Sequence, residues 1–292
     1  MPPSGFAPAE RLRRRVVGDV RALFNDQAKG EKPTPMSDNA LFPRGSVIWR
    51  VHGDVTTMMV GGISALLMQM LHPLALAGVW DHSRFRDDMI GRLRRTARFI
   101  AVTTYADRTE AETLIGKVRK AHDAVKGERP DGTRYAASDP HLLAWVHVCE
   151  AVSFLDGWIR YGEPAMSRAD QDRYFAESTV VARLLGANPV PETRAEANAI
   201  LRQMRGELLV DARTREVCKL ILSQRPTDPR GAIAQSVISD AAVALLPDWA
   251  RAMHGFRPSP FKAPLVHLGT FGMAQTLRWA FAGEYRASPK DG

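Results

Sequence analysis

Nowhere in this sequence do apolar and polar residues alternate as a half-buried strand requires. Instead, apolar positions recur every three to four residues in stretch after stretch. Such a chain buries one stripe per helix, so helix must pack on helix, and the fold class read from the pattern is all-α. Turn chemistry marks the boundaries. Pro8 opens an amphipathic stretch from Ala7 to about Asp26, and residues 30–46, rich in Pro, Gly, Ser and Asn, read as a loop. Asp87 or Asp88 caps a helix running to about Thr104, and Asp107 with Glu110 gives a capping-box-like start to one ending at Gly127. Residues 128–137, with Pro130-Asp131-Gly132, form a turn-rich link. Asp139-Pro140 then starts a helix that Gly162 stops after Tyr161. Ser167 and Asp170 open the next, which ends at Gly186. After the Pro189 and Pro191 break, helical stretches fall near 192–208, 211–223, 231–246 and 263–283. We expect an N-terminal helix and loop over 1–44, one helical domain over 45–286 and a frayed tail over 287–292.

Several function classes are set aside by composition. The most apolar run, Val55 to Leu71, contains Gly61-Gly62 and Gln69 and stops at His72-Pro73, which suits a core helix better than a membrane span. No integral membrane segment is therefore expected. Cys149 and Cys218 sit among apolar residues and read as buried thiols. No C-x-x-C-H occurs, and two isolated cysteines make neither an iron–sulfur nor a zinc site. A reduced, cytoplasmic setting is the expectation. The Arg13-Arg14-Arg15 run lacks a following apolar region, so it is not read as a twin-arginine signal. Net charge is +8, yet arginines are scattered, and only Arg11 with Arg13, Arg14 and Arg15 forms a tight cluster. No helix-turn-helix pattern accompanies that charge, which argues against a nucleic-acid-binding regulator. Phosphate loops, nucleophile elbows and H-E-x-x-H are lacking too.

The candidate chemistry lies in histidines and one basic helix. Ala111, Ile115, Val118, His122 and Val125 fall on one helical face, with charge at the other positions, so His122 points inward. A neutral imidazole is a common protein ligand for iron, although a lone inward histidine also serves as an ordinary core residue. Arg92 stacks one turn before Thr96 on the face carrying Met89, Leu93 and Ile100, with Arg95 beside it. A cavity-facing arginine holds carboxylates or polarises bound oxygen, and the plainer alternative is a solvated basic helix. His72, at the end of the apolar run, satisfies loose carbonyls or lines a pocket. His82 lies in the short segment Asp81-His82-Ser83. His141 and His147 are six apart, which is not a chelating spacing, and His147 is a secondary candidate for iron. His254 and His267 have no informative context.

Taken in order, these pieces form a pattern: His72-Pro73 with Gly78-Val79, His82-Ser83-x-Phe85, Arg92-x-x-x-Thr96, Val118-Arg119-x-x-His122, Gly132-x-x-Tyr135-x-Ala137-x-Asp139-Pro140, and Trp145-Val146-His147. Over residues 45–210 this order resembles the DUF2236 family of MpaB-type and latex-clearing rubber oxygenases. The resemblance implies a globin-like helical fold around non-covalent haem b, with His122 as the proximal ligand and Arg92 and Thr96 near the haem. A rubber-oxygenase lysine able to reach the iron is Arg95 here, and arginine is a poor iron ligand. No counterpart of the family's distal glutamate is placed. The implied function is a haem b oxygenase acting with molecular oxygen on a small hydrophobic substrate, and oxidative cleavage of a carbon–carbon double bond is one such reaction. The alternative in another class is a haem-binding carrier or gas sensor without catalysis. The sequence does not fix the oligomeric state.

Overall fold

The computed structural model describes residues 8–24, 30–224, 229–257 and 262–282. The helices in chain order are α1 (Pro8–Phe24), α2 (Val47–His52), α3 (Val55–Gln69), α4 (Pro73–His82), α5 (Met89–Tyr105), α6 (Arg108–Ala124), α7 (Pro140–Tyr161), α8 (Arg168–Leu185), α9 (Arg194–Gln203), α10 (Ala212–Leu222), α11 (Pro229–Leu245), α12 (Asp248–His254) and α13 (Lys262–Phe281). The fold is all-α apart from one small ribbon, β1 (Lys126–Glu128) paired antiparallel with β2 (Arg134–Ala136). The sequence pattern reads residues 128–137 as a turn-rich link and carries the preceding helix to Gly127, whereas α6 stops at Ala124 and β1 takes up Lys126 and Gly127; three-residue strands are too short to show alternation. The tail from 287 lies outside the described residues.

Most helices start where a short polar side chain takes an orphan backbone N–H. Asp54 accepts from Thr57 N, Asp88 from Gly91 N, Asp107 from Thr109 N, Asp139 from His141 N and Ser167 from Asp170 N. Asp211 and Thr214 form a reciprocal box at α10. Gly186 ends α8 with φ +97°, a conformation other residues rarely adopt. His72 differs from its expected role. Its Nδ1 accepts from Leu74 N and caps the start of α4, while Met70 N–H closes α3. Asp81 and His82, expected in an irregular stretch, form the last turn of α4.

The centre of the molecule is the α3–α7 pair. A Cβ at Gly61 would lie 2.8 Å from Ser153 O, and one at Gly157 would lie 2.9 Å from Thr57 O, so the two backbones touch with no side chain between them. Around this seam Leu67, Met68, Trp145, Val148 and Leu155 are fully buried, each contributing about 1.5–3 kcal/mol by leaving water. Trp145 Nε1 donates to Gln69 O at 3.2 Å. Helix α7 is long and apolar enough to cross a membrane, but 67% of that stretch is buried inside the protein, as a core helix requires. Helices α11 and α13 cover α3 from another side. There Arg278 pairs with the nearly buried Asp54 at 2.6 Å and donates to Tyr161 O at 2.9 Å. Helix α1 packs on α13 and α5 and ties in by Arg13 Nε donating to Ala280 O at 2.7 Å.

Candidate functional site

Helices α5 and α6 form an antiparallel hairpin reversed at Ala106-Asp107, so positions equidistant from Asp107 lie level with one another. Arg92 and His122 are each fifteen residues from it, about 22 Å along the helices at 1.5 Å per residue. Thr96 and Val118 are each eleven away, one turn nearer the reversal. At the turn end the hairpin is clamped to α2, where Trp49 meets Tyr105 edge-on at 4.9 Å and His52 bonds Thr104. The hairpin also packs on α8, but not closely on α3 or α7. Gly62 and Leu66 on α3 and Leu93 and Ile100 on α5 are half-buried, and the three larger side chains pack against the core.

At the level of Arg92, a small void of about 10 Å³ lies between Leu66, Val79, Met89 and Val217. That is room for about one water. Arg92 reaches this apolar wall and donates to Ser83 Oγ at 2.8 Å. No carboxylate among the described residues pairs with it. Burial, then the like charge of Arg95, pushes its pKa down, yet a guanidinium stays charged and so seeks an anion. Arg95 instead faces solvent and pairs with Asp88 at 3.1 Å. Thr96 Oγ1 donates to Arg92 O at 3.2 Å. Across the hairpin His122 is half-buried, and its Nδ1 is out of contact with solvent and has no hydrogen-bond partner. Burial lowers its pKa, with Asp123 opposing weakly, so the ring is neutral near pH 7.

On α7, His147 and Glu150 share a face three residues apart. His147 Nε2 is buried and unpartnered, and burial lowers its pKa to about 4. Burial raises Glu150 to about 7, while Gln69 Nε2, donating at 3.2 Å, pulls the other way. The turn end of the hairpin holds a second polar chain. Thr104 Oγ1 donates to Ile100 O at 2.7 Å, so toward His52 Nδ1 at 2.9 Å it must accept. That fixes the proton on Nδ1 and leaves Nε2 to accept from Tyr174 OH at 3.1 Å. Burial holds His52 down at about 3 and pushes Tyr174 up. Sequence reasoning passed over His52, Tyr174 and Glu150. Each sits within an apolar helix face, and their only local signal is a polar residue at a buried position.

The other histidines lie apart from this level of the hairpin. His72 Nε2 and His141 Nε2 both meet Glu207, at 3.2 Å and 2.9 Å. These three groups lie close enough to share a cation. However, His72 Nδ1 takes the Leu74 N–H, so its proton is on Nε2 and the lone pair that a metal needs is committed. The cluster is a hydrogen-bonded clasp between the starts of α4 and α7 and the short 3-10 turn Met204–Glu207. His82 is exposed beside Tyr135, whose OH donates to Asp81 at 2.6 Å. His254 Nε2 donates to Leu67 O, and His267 stacks on Phe271.

A model of the family described as "ER-bound oxygenase mpaB/B'/Rubber oxygenase, catalytic domain" matches residues 49–279. That span contains the α5–α6 hairpin, the α3–α7 pair and the candidate site residues His52, Arg92, Thr96, His122, His147 and Glu150. No curated protein and no solved structure matches the chain at a significant level.

Proposed function

We propose, on the premise that this chain belongs to the mpaB/rubber oxygenase catalytic-domain family, that it is a haem b-dependent oxygenase acting on an apolar substrate. Oxidative cleavage of a carbon–carbon double bond is the reaction class proposed. The observation that carries the haem reading is His122, a neutral imidazole with a buried, unpartnered nitrogen, level along the hairpin with Arg92, which is half-buried and has no carboxylate partner among the described residues. A histidine that holds haem iron must be neutral and have a ring nitrogen to give, and a porphyrin brings carboxylates that need cations. When bound, haem b supplies the oxygen chemistry and the protein supplies position and field.

In this reading His122 holds the iron from α6, and Arg92 holds a propionate or orients oxygen from α5. Arg95, turned to Asp88, acts on the site only through its charge. Thr96 donates to a ligand by releasing Arg92 O. The apolar, half-buried side chains of Leu66, Leu93 and Ile100 suit a substrate without charge. Glu150, with a pKa of about 7, is suited to hold or give up a proton at neutral pH. His147, neutral and unpartnered, is the second imidazole available to the group.

The test is an absorption spectrum of protein expressed with haem supply, oxidised, reduced and with carbon monoxide. Haem is quantified as its pyridine complex in wild type and His122→Ala. A Soret band that shifts on reduction, with stoichiometric haem in wild type and loss of most of it in His122→Ala, is the expected result. Full haem retention in the variant removes His122 as ligand, and no Soret band after reconstitution removes the haem.

A further inference from the structure

Helix α13 faces water with a side that is wrong for water. From Ala263 to Leu277 it has no Asp, Glu, Lys or Arg. Leu265 and Leu268 are 71% and 66% exposed, and Trp279, on the same face, is 46% exposed. Gly272, Gln275 and Thr276 complete that face and are also exposed and uncharged. The stripe from Leu265 to Trp279 runs about 21 Å. A surface helix normally turns charge outward, and an apolar face left open marks an interaction site. Ile233 on the neighbouring α11, 67% exposed, is a further apolar side chain left in water there.

The occupant is indicated by charge. Helix α1 packs against α13 and is bonded to its Trp279 end through Arg13 and Ala280 O. Its exposed side carries Arg11, Arg14 and Arg15, with five arginines against two carboxylates over the whole helix. An uncharged helix face with exposed leucines and a tryptophan, beside an arginine-rich helix, is the pairing of an in-plane interfacial helix: apolar side chains for the acyl boundary and cations for anionic headgroups. The net charge of +8 favours an anionic surface and opposes pairing of two copies. We propose that α13 and α1 form a docking face for an anionic lipid surface, with Leu265 and Leu268 entering the acyl boundary and the α1 arginines meeting headgroups. The attachment is peripheral, with α13 lying in the plane of the interface.

Co-sedimentation of the full chain with vesicles tests this without turnover, so its outcome is separate from that of the oxygenase reading. Vesicles of phosphatidylcholine alone are compared with vesicles containing about 30 mol % phosphatidylglycerol. Wild type is expected to sediment with the anionic vesicles and weakly with the neutral ones. Leu265→Glu/Leu268→Glu should weaken partitioning about a hundredfold, each leucine contributing about tenfold. Arg11→Glu/Arg15→Glu should remove the anionic preference, a loss of about twentyfold or more. All four positions are exposed, and circular dichroism verifies the fold. Should the glutamate pair misfold, Leu265→Ser/Leu268→Ser replaces it. Vesicle binding indifferent to the leucines overturns the proposal, as does no vesicle binding at all. A concentration-dependent dimer without lipid binding, abolished by the leucine changes, would overturn it in favour of self-association.

Discussion

Gly61→Ala tests the central seam, because two opposite effects act at that position and the structure decides between them. In an isolated helix the change stabilises by about 1 kcal/mol, since alanine loses less freedom than glycine. Here the new methyl would stand 2.8 Å from Ser153 O and 3.0 Å from Phe154 Cα. Both are backbone atoms of α7, so no side chain can swing aside. Comfortable contact begins near 3.5 Å, so α3 and α7 must part by about 0.5 Å along a seam that also includes Thr57 O against Gly157. Overpacking of this kind costs about 1–3 kcal/mol and exceeds the propensity gain. With the gain subtracted, up to about 2 kcal/mol is lost, and for a chain of this size Tm should fall by up to about 4 °C. The matched control is Gly116→Ala on α6. No atom lies within 4 Å of its Cβ position, so the propensity gain stands alone and Tm should rise by about 1–3 °C. Thermal melts and urea titrations of the two variants read the difference in sign. If Gly61→Ala melts at or above wild type, the close backbone contact does not hold and the account of the core is wrong.

Stability against pH should report the buried groups of α7 and α2. Glu150 is raised to about 7, so its contribution is present at acid pH and is lost as pH rises from about 4.5 through 7. His52 and His147, lowered to about 3 and 4, act oppositely and cost stability as pH falls below about 6.5. Glu150→Gln should therefore leave the histidines less opposed. Stability measured by urea unfolding should then fall more steeply from pH 6.5 to 4.5, by about 1.4 kcal/mol per pH unit, and an unchanged slope would mean that Glu150 is ionised in the folded protein. Tyr174→Phe leaves His52 Nε2 in the core without its donor and should cost about 1–3 kcal/mol in the same assay, whereas a neutral outcome would mean the bond to Tyr174 does not form.

Much of this architecture was legible from caps and stops. The starts at Asp88, Asp107, Asp139 and Ser167 and the stop at Gly186 fall where short-range chemistry places them, because that chemistry is local. Contacts between distant segments left weaker traces. Gly61 reads in sequence as a mild defect in an apolar run, and only the approach of Ser153 explains it. His72 looks like the end of one helix but caps the next, since its ring bonds forward to Leu74 and not back to α3. Arg92 and Arg95 are adjacent members of one basic segment. The helical phase alone separates the arginine facing the Leu66–Val217 wall from the one paired with Asp88 in water.

The hairpin shows how a long-range relation arises from a short-range one. Once Ala106-Asp107 is recognised as a tight reversal between two helices, the levels of Arg92 with His122 and of Thr96 with Val118 follow from counting. What counting cannot supply is how the hairpin is held. Its turn end is fixed by Trp49 against Tyr105 and by His52 between Thr104 and Tyr174, while the end bearing Arg92 and His122 is not closely packed on α3 and α7.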